Sequence, residues 1–351
     1  MTRKRLELDQ RKRLVLKGIV DQYIRTATPV SSQAILKHCG LKVSSATVRN
    51  DMQYLEREGY ITKPYCSAGR VPTERGYRFF VDWLLELSEL TKHDQHAITE
   101  FYRFQRQELE RLLHHTAFLL ANLTGLVGFV LPPQLAETKL ERVSLVRLGP
   151  KQVLVVLISD LGLVESRVLD LELTPMELEE IQDLLNENLQ GRRFHEIIAE
   201  TERFFALEAG TWIDPVVKNS FAILREMILG QTARRLHLEG LPHLMELILE
   251  AEKPDGEGVV RLLADERRLV EFLQGTAPEG EIRVLIGSEN GLPELRSCSL
   301  VAMGYGYSGV LGVLGPLRMD YSKGVSVVKY IGSRLRTILT VAEREREEVR
   351  D

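Results

Sequence analysis

Cysteine is scarce in this chain: Cys39, Cys66 and Cys298 are the only three in 351 residues. Their wide spacing excludes a disulfide framework and a cysteine metal centre, and it fits a reducing cytoplasm. Long apolar runs are missing too. The most apolar stretch, Thr116–Leu131, is 16 residues long, contains Asn122 and follows His114 and His115. A membrane span needs about 20 apolar residues, so a buried helix followed by a strand is the better reading and no membrane role is expected. Met1 leads into a charged segment rather than an apolar leader, so export is not expected either. His93 and His96 have no further ligand near them, and no metal is expected. Arg318, Asp320 and Tyr321 lack a nucleophile, a base or a metal motif beside them. They read as residues that cap and tie down the last helix, and no enzyme is expected.

Charge is present but unevenly placed. The net charge is −4, yet residues 1–87 carry 16 Lys and Arg against 9 Asp and Glu, a local +7 on a body of −11. A basic N-terminal domain points to a polyanion. The pattern there reads as three helices. The first covers about 9–24, with Leu16, Ile19, Val20 and Tyr23 as its buried stripe, and Thr26-Ala-Thr-Pro29 breaks it. A short second helix starts at Ser31 or Ser32 and stops at Gly40; a third covers about 45–58 and stops at Gly59. Two short helices joined by a glycine-containing turn are the helix-turn-helix pattern. In the third helix Val48, Met52 and Leu55 share one buried face, and Ala46, Asn50, Gln53 and Arg57 lie opposite with Arg49 on the flank. Arg49, Asn50 and Gln53 are the expected base readers, since Arg pairs with guanine and Asn or Gln with adenine. Ser44, Ser45 and Thr47 at the helix start suit phosphate. Residues 60–71 read as a wing with Cys66-Ser67-Ala-Gly69 at its tip, Ser67 and Arg70 as its phosphate or groove contacts, and Thr73 capping the next helix.

Beyond a polar link expected at 91–97, a long helix is predicted over 98–123, and strands over 141–148, 152–159 and 163–169. From Thr174 the pattern turns helical, with Leu178, Ile181, Leu185 and Leu189 on one stripe and further helices near 215–229, 241–251 and 265–273. Strands return at 282–286, 299–303 and 310–314. A last helix follows Asp320, and its stripe of Val328, Ile331, Leu335, Ile338 and Ala342 suits either its own sheet or a second subunit. Strands on both sides of a helical block suggest a discontinuous α+β domain with a second domain inserted. Gly304-Tyr-Gly306-Tyr-Ser-Gly309 fits a dinucleotide fingerprint, but a strand-like run follows where that fingerprint needs a helix. It reads as a glycine-rich hairpin, and no cofactor is expected.

The chain resembles the bacterial HrcA family of heat-inducible transcription repressors. The resemblance is carried by Tyr23-Ile-x-Thr26-x-x-Pro29-Val30-x-Ser32, Ser44-Ser-Ala-Thr-Val-Arg-Asn50, Leu55-Glu-x-x-Gly59-Tyr60, Ser67-Ala-Gly-Arg-Val-Pro-Thr73 and Gly76-Tyr-Arg-x-x-Val-Asp82. It extends to Ile286-Gly-x-Glu289-Asn290, Cys298-Ser-Leu-Val301 and Gly312-Val-Leu-Gly-Pro-x-Arg-Met-Asp-Tyr321, and is loose from about 170 to 280. Ala27 and Ser31 stand where the family usually has glycine, and Tyr65-Cys66 replaces its usual His-Thr. The resemblance implies an α+β multidomain protein. It would have a winged helix-turn-helix at 1–90, a GAF-like domain in two pieces at 98–170 and 280–345, and an inserted dimerising domain at 171–279. It also implies a homodimer on double-stranded DNA carrying an inverted repeat upstream of chaperone operons, blocking transcription, with the chaperonin and heat as modulators. The alternative is a regulator whose GAF-like domain answers to a small effector.

Overall fold

Local capping sets the N-terminal helices of the computed structural model, which describes residues 8–65, 68–103, 109–207, 215–229, 236–243 and 256–348. Helix α1 (Gln10–Thr26) starts where the Asp9 carboxylate accepts the Lys12 N–H at 2.9 Å, and stops at Ala27 in the left-handed region. Helix α2 (Ser32–Cys39) runs from its Ser31 cap to Gly40 at φ +58°, and helix α3 (Ser45–Arg57) follows the Ser44 cap. The expected apolar positions close on one another: Leu16, Ile19, Val20, Val48, Met52 and Leu55 are buried and Tyr23 is half-buried, and Ile35 of α2 joins them. Strands β1 (Ile61–Thr62) and β2 (Val71–Pro72) pair antiparallel, and the Thr73 hydroxyl caps helix α4 (Glu74–Phe79), which continues as a π-helical turn over Phe80–Leu84.

The link to the body lies at residues 85–91, not at the expected 91–97. The Thr91 hydroxyl accepts the Asp94 N–H at 3.1 Å and so starts helix α5 (Lys92–Arg103) inside the polar stretch. The helix expected over 98–123 is therefore divided between α5 and α6 (Leu109–Thr124).

The apolar run after α6 becomes strand β3 (Val127–Leu131). It lies in a five-stranded antiparallel sheet with β7 (His237–Glu239), β8 (Ile282–Ile286), β9 (Cys298–Gly306) and β10 (Gly309–Pro316), in the order β7-β3-β10-β9-β8. Every residue of β3, β9 and β10 is buried because both faces are covered. Val130, Val301, Met303, Leu311 and Val313 point towards α6, the N-terminal domain and the last helix, α12 (Tyr321–Glu348). Phe129, Leu131, Leu300, Val310 and Leu314 point the other way, onto α10 (Gly256–Ala264) and α11 (Glu266–Leu273). The strand period of two sorts the two cores. On α12, Val328, Ile331 and Leu335 are buried against this sheet and Ile338 is half-buried, so this part of the stripe serves its own domain; the side chain of Ala342 lies outside the described residues.

Strands β4 (Leu140–Gly149), β5 (Gln152–Ser159) and β6 (Val164–Asp170) form a separate three-stranded sheet. Helices α7 (Pro175–Leu189), α8 (Phe194–Leu207) and α9 (Pro215–Leu229) lie with it around one core, from Leu135 to Met227. The Asn186 and Gln182 amides of α7 satisfy the open edge of β4: their oxygens accept the N–H groups of Val143 and Leu145 at 2.8 and 2.9 Å. This partition corrects the expected boundaries. The insertion runs over about 135–229 rather than 171–279, while β7, α10 and α11 belong to the main sheet. Hydrogen-bonded neighbours decide sheet membership, and β7 pairs with β3 across more than a hundred residues.

Candidate nucleic-acid interface

Helix α3 is held from three sides. The Ser44 hydroxyl accepts the Thr47 N–H at 3.1 Å and meets the Thr47 hydroxyl at 2.9 Å. The Ser45 hydroxyl meets that of Ser32 at 3.1 Å, which joins the starts of α2 and α3. On the inner face, beside Val48, Met52 and Leu55, the buried Asp51 carboxylate takes two hydrogen bonds from Arg11 of α1, at 2.7 and 3.0 Å. At the far end the Arg75 guanidinium lies over the Tyr60 ring and donates to the Glu58 carbonyl at 2.7 Å, satisfying a helix-terminal acceptor.

What remains outward is the expected reading face. Ala46, Arg49, Asn50, Gln53 and Arg57 are all exposed, and the side chains of Arg49, Asn50 and Gln53 make no hydrogen bond with the described residues. Donors and acceptors that face solvent without partners are available to base edges. Ser44, Ser45 and Thr47 sit together at the N-terminal end of α3, where unsatisfied N–H groups favour an anion.

The wing departs from expectation at one residue. Arg70 does not point outward. Its side chain is only 14% exposed, and its guanidinium donates to the Glu56 carboxylate of α3 at 2.8 Å. Its backbone pairs in both directions with Val30, at 2.8 and 2.9 Å. Gly69 makes this possible, because a Cβ there would lie 2.5 Å from the Val30 carbonyl oxygen. Arg70 thus fastens the root of the wing to the recognition helix. The outward wing residues are Thr62, Lys63, Pro64 and Tyr65. Ser67 and Cys66, expected at the tip, lie outside the described residues. Lys42, Lys63 and Tyr65 are exposed around α3 and the wing, and the sequence does not mark them as DNA contacts. A lysine on each side of the recognition helix was the available signal.

Elsewhere, Gly304–Gly309 is the β9–β10 hairpin, with Tyr307 and Ser308 at φ +51° and +55° at its tip. That is the geometry of a two-residue hairpin turn, not of a helix start. Among the described residues no group of three or more His, Cys, Asp and Glu could hold a metal, and no helix is long and apolar enough to cross a membrane.

These features define a winged helix-turn-helix transcription regulator carried on an α+β body. Residues 18–73 match the DeoR-like helix-turn-helix domain, and residues 110–325 match the HrcA protein C-terminal domain. The chain is 34% identical over 345 residues to a heat-inducible transcription repressor HrcA of Pelotomaculum thermopropionicum, covering 95% of this chain and 97% of that one. It is 36% identical over 342 residues to the HrcA of a Parafrankia strain, covering 93% and 99%. A crystal structure titled as a hypothetical protein at 2.2 Å resolution superposes with a TM-score of 0.66 at 29% identity, covering 96% of this chain and all of that one. The chain belongs to the HrcA family of heat-inducible transcription repressors. It is a DNA-binding negative regulator of heat-shock gene transcription rather than an enzyme.

Proposed function

We propose that this repressor acts in the cytoplasm as a homodimer on an inverted repeat upstream of chaperone operons, one recognition helix in each half-site, and blocks transcription by occupying promoter DNA. The observation that carries this reading is the row Arg49, Asn50 and Gln53. It is exposed, without a side-chain hydrogen bond among the described residues, on a helix whose other face is pinned by Arg11, Arg70 and the apolar core. In this reading Arg49, Asn50 and Gln53 read bases. Ser44, Ser45 and Thr47 hold phosphate, with Ser67, Lys63 and Tyr65 on the wing side.

The insertion supports the homodimer. On β4–β6 the face turned away from its core carries Val146, Leu148, Val164 and Val168, all exposed, flanking the half-buried Leu154, Val156 and Ile158. A contiguous apolar sheet face of this kind marks an interaction surface, and an isologous pairing of two such faces gives twofold symmetry matching an inverted repeat. The family resemblance adds the chaperonin as the factor that keeps the repressor competent. The reading is tested by binding to a duplex with both half-sites, to one half-site and to a scrambled duplex over a salt series, with and without chaperonin. Tight, selective binding that needs both half-sites is expected, together with a log–log salt slope of about −0.9 per phosphate contact. Equal binding to all three duplexes overturns it. Substituting Val146→Glu and Val168→Glu together should leave a monomer by sedimentation; a persistent dimer overturns the assignment of that face.

A further inference from the structure

Two of the segments that carry the family resemblance, 76–82 and 286–290, meet in the structure. Arg78 of α4 donates from Nε and Nη2 to both oxygens of Glu289, each at 3.0 Å. Its Nη2 also donates to the Val284 carbonyl at 2.6 Å, and its Nη1 to Asp82 at 2.8 Å. Four residues earlier, the Glu74 carboxylate accepts the backbone N–H of Ser288 at 3.1 Å and its hydroxyl at 2.5 Å. Gly287 makes room for that contact: it sits at φ +57°, and a Cβ there would lie 2.4 Å from the Glu74 carboxyl. A second strut stands at the start of α12, where the Ser322 hydroxyl donates to the Glu86 carbonyl at 2.5 Å and meets the Ser88 hydroxyl at 2.7 Å. Between the struts the buried rings of Tyr77 and Tyr321 lie 5.8 Å apart.

The reading domain is rigid up to this junction. Thr73 donates to the carbonyls of Gly59 and Tyr60 and caps α4, so recognition helix, wing and α4 move together. Residues 85–91 and a shared apolar core, in which Tyr77 and Phe80 meet residues of α12 such as Tyr321 and Val325, also join reader to body, but apolar packing is non-directional and the junction's hydrogen bonds are what fix the angle. A flexible linker as long as residues 85–91 spans about 15 Å root-mean-square. One base pair advances a half-site by only about 3.4 Å and turns it by roughly 35°. A freely hinged reader would therefore tolerate several spacer lengths. A locked one accepts the spacer that its geometry matches.

We propose that Glu74 and Arg78 are spacing-determining residues. They touch no base, but by clamping the reader onto the Gly287–Glu289 turn they fix the separation and angle of the two recognition helices, and so the spacer of the inverted repeat. This rests on the dimer reading above.

The test compares full-length wild type with the Glu74→Ala/Arg78→Ala double variant on duplexes whose spacer is native, one base pair shorter or two longer. Single half-site binding and thermal unfolding serve as controls. Wild type should lose at least tenfold in affinity on a changed spacer. The double variant should show a native-to-altered ratio near one, with unchanged half-site affinity and base preference. Arg78→Lys, which keeps one charged contact, should restore part of the ratio. Gly287→Val, which pushes on Glu74 from the body side and leaves the reader untouched, should reduce the ratio in the same way. If wild type discriminates spacers and both the double variant and Gly287→Val discriminate equally well, the clamp does not set spacing and the proposal fails alone. If wild type binds one half-site as well as two, or ignores the spacer, the dimer reading falls and the proposal falls with it.

Discussion

Arg11 of α1 grips Asp51 of α3 through two hydrogen bonds, 2.7 and 3.0 Å long, and the Asp51 side chain is only 5% exposed. The pair crosses forty residues and ties the first helix to the inner face of the recognition helix. Removing the cation leaves a buried carboxylate without its partner, which is more costly than removing both groups. Arg11→Ala should therefore lower the midpoint of thermal unfolding by several degrees, and the Arg11→Ala/Asp51→Ala double variant by less than the two single changes combined. A double-mutant cycle with no coupling would show that the pair contributes nothing beyond its parts.

The exposed row on α3 separates reading from folding. Arg49, Asn50 and Gln53 have no side-chain hydrogen bond among the described residues to lose, so alanine at any of them should leave stability within about 0.5 kcal/mol of wild type. Each should cost about 1–3 kcal/mol of discrimination between operator and scrambled DNA. Competition binding against scrambled duplex measures this directly. An Arg49→Ala variant with the wild-type ratio would remove Arg49 from the readers. Arg70→Ala should behave differently. It frees the Glu56 carboxylate and loosens the wing root, so stability should fall along with affinity.

Much of the reading domain was legible because short-range chemistry decides it. Thr73 caps the helix it was expected to open, Ser31 and Ser44 are the caps among the expected pairs Ser31 or Ser32 and Ser44 or Ser45, and Thr174 caps the helix expected from there on, since a cap needs only its own next three residues. The stripes Val48-Met52-Leu55 and Leu178-Ile181-Leu185-Leu189 are buried as their period predicts. What escaped depends on distance. Asp51 lies on the apolar stripe, and only the fold brings Arg11 to it. Arg70 looks like a free basic residue until Glu56 is placed 2.8 Å away. The insertion boundary was misjudged because β4–β6 follow β3 directly and read as more of the same sheet. Their alternation cannot say which sheet they join.

Ala27 offers a test of backbone strain. It ends α1 at φ +53° and ψ +14°, with its N–H bonded to the Tyr23 carbonyl at 2.9 Å. A side chain in this region costs about 1–2 kcal/mol, partly offset by the smaller chain entropy of alanine in the unfolded state. Ala27→Gly should raise the unfolding free energy by about 0.5–1 kcal/mol by denaturant titration. Gly40, at φ +58° with open space where a Cβ would stand, is the mirror experiment. Gly40→Ala should lose about 1 kcal/mol. If both substitutions are neutral, left-handed strain does not limit this domain.

Asp21 adds a pH dependence. It faces a cavity of about 380 Å³ between reader and body, lined also by Lys17, Arg25, His38, Glu86 and Asp320. Burial lifts the Asp21 carboxyl above its ordinary value; Lys17, His38 and Arg25 pull it back, and Glu86 pushes it further up. The folded protein then holds this proton more tightly than the unfolded chain does. Stability from this group is full below the unfolded value near 3.8 and is lost as pH rises through the raised folded value. At neutral pH the buried charge is a net cost, so Asp21→Asn should be more stable than wild type there, and the gain should vanish as pH falls towards 3.8. Denaturant titrations across that range decide it. A variant that is less stable at neutral pH would mean that the attraction of Asp21 to Lys17, Arg25 and His38 outweighs its burial. Helices α1 and α2 of the reader would then be held together at this cavity by charge.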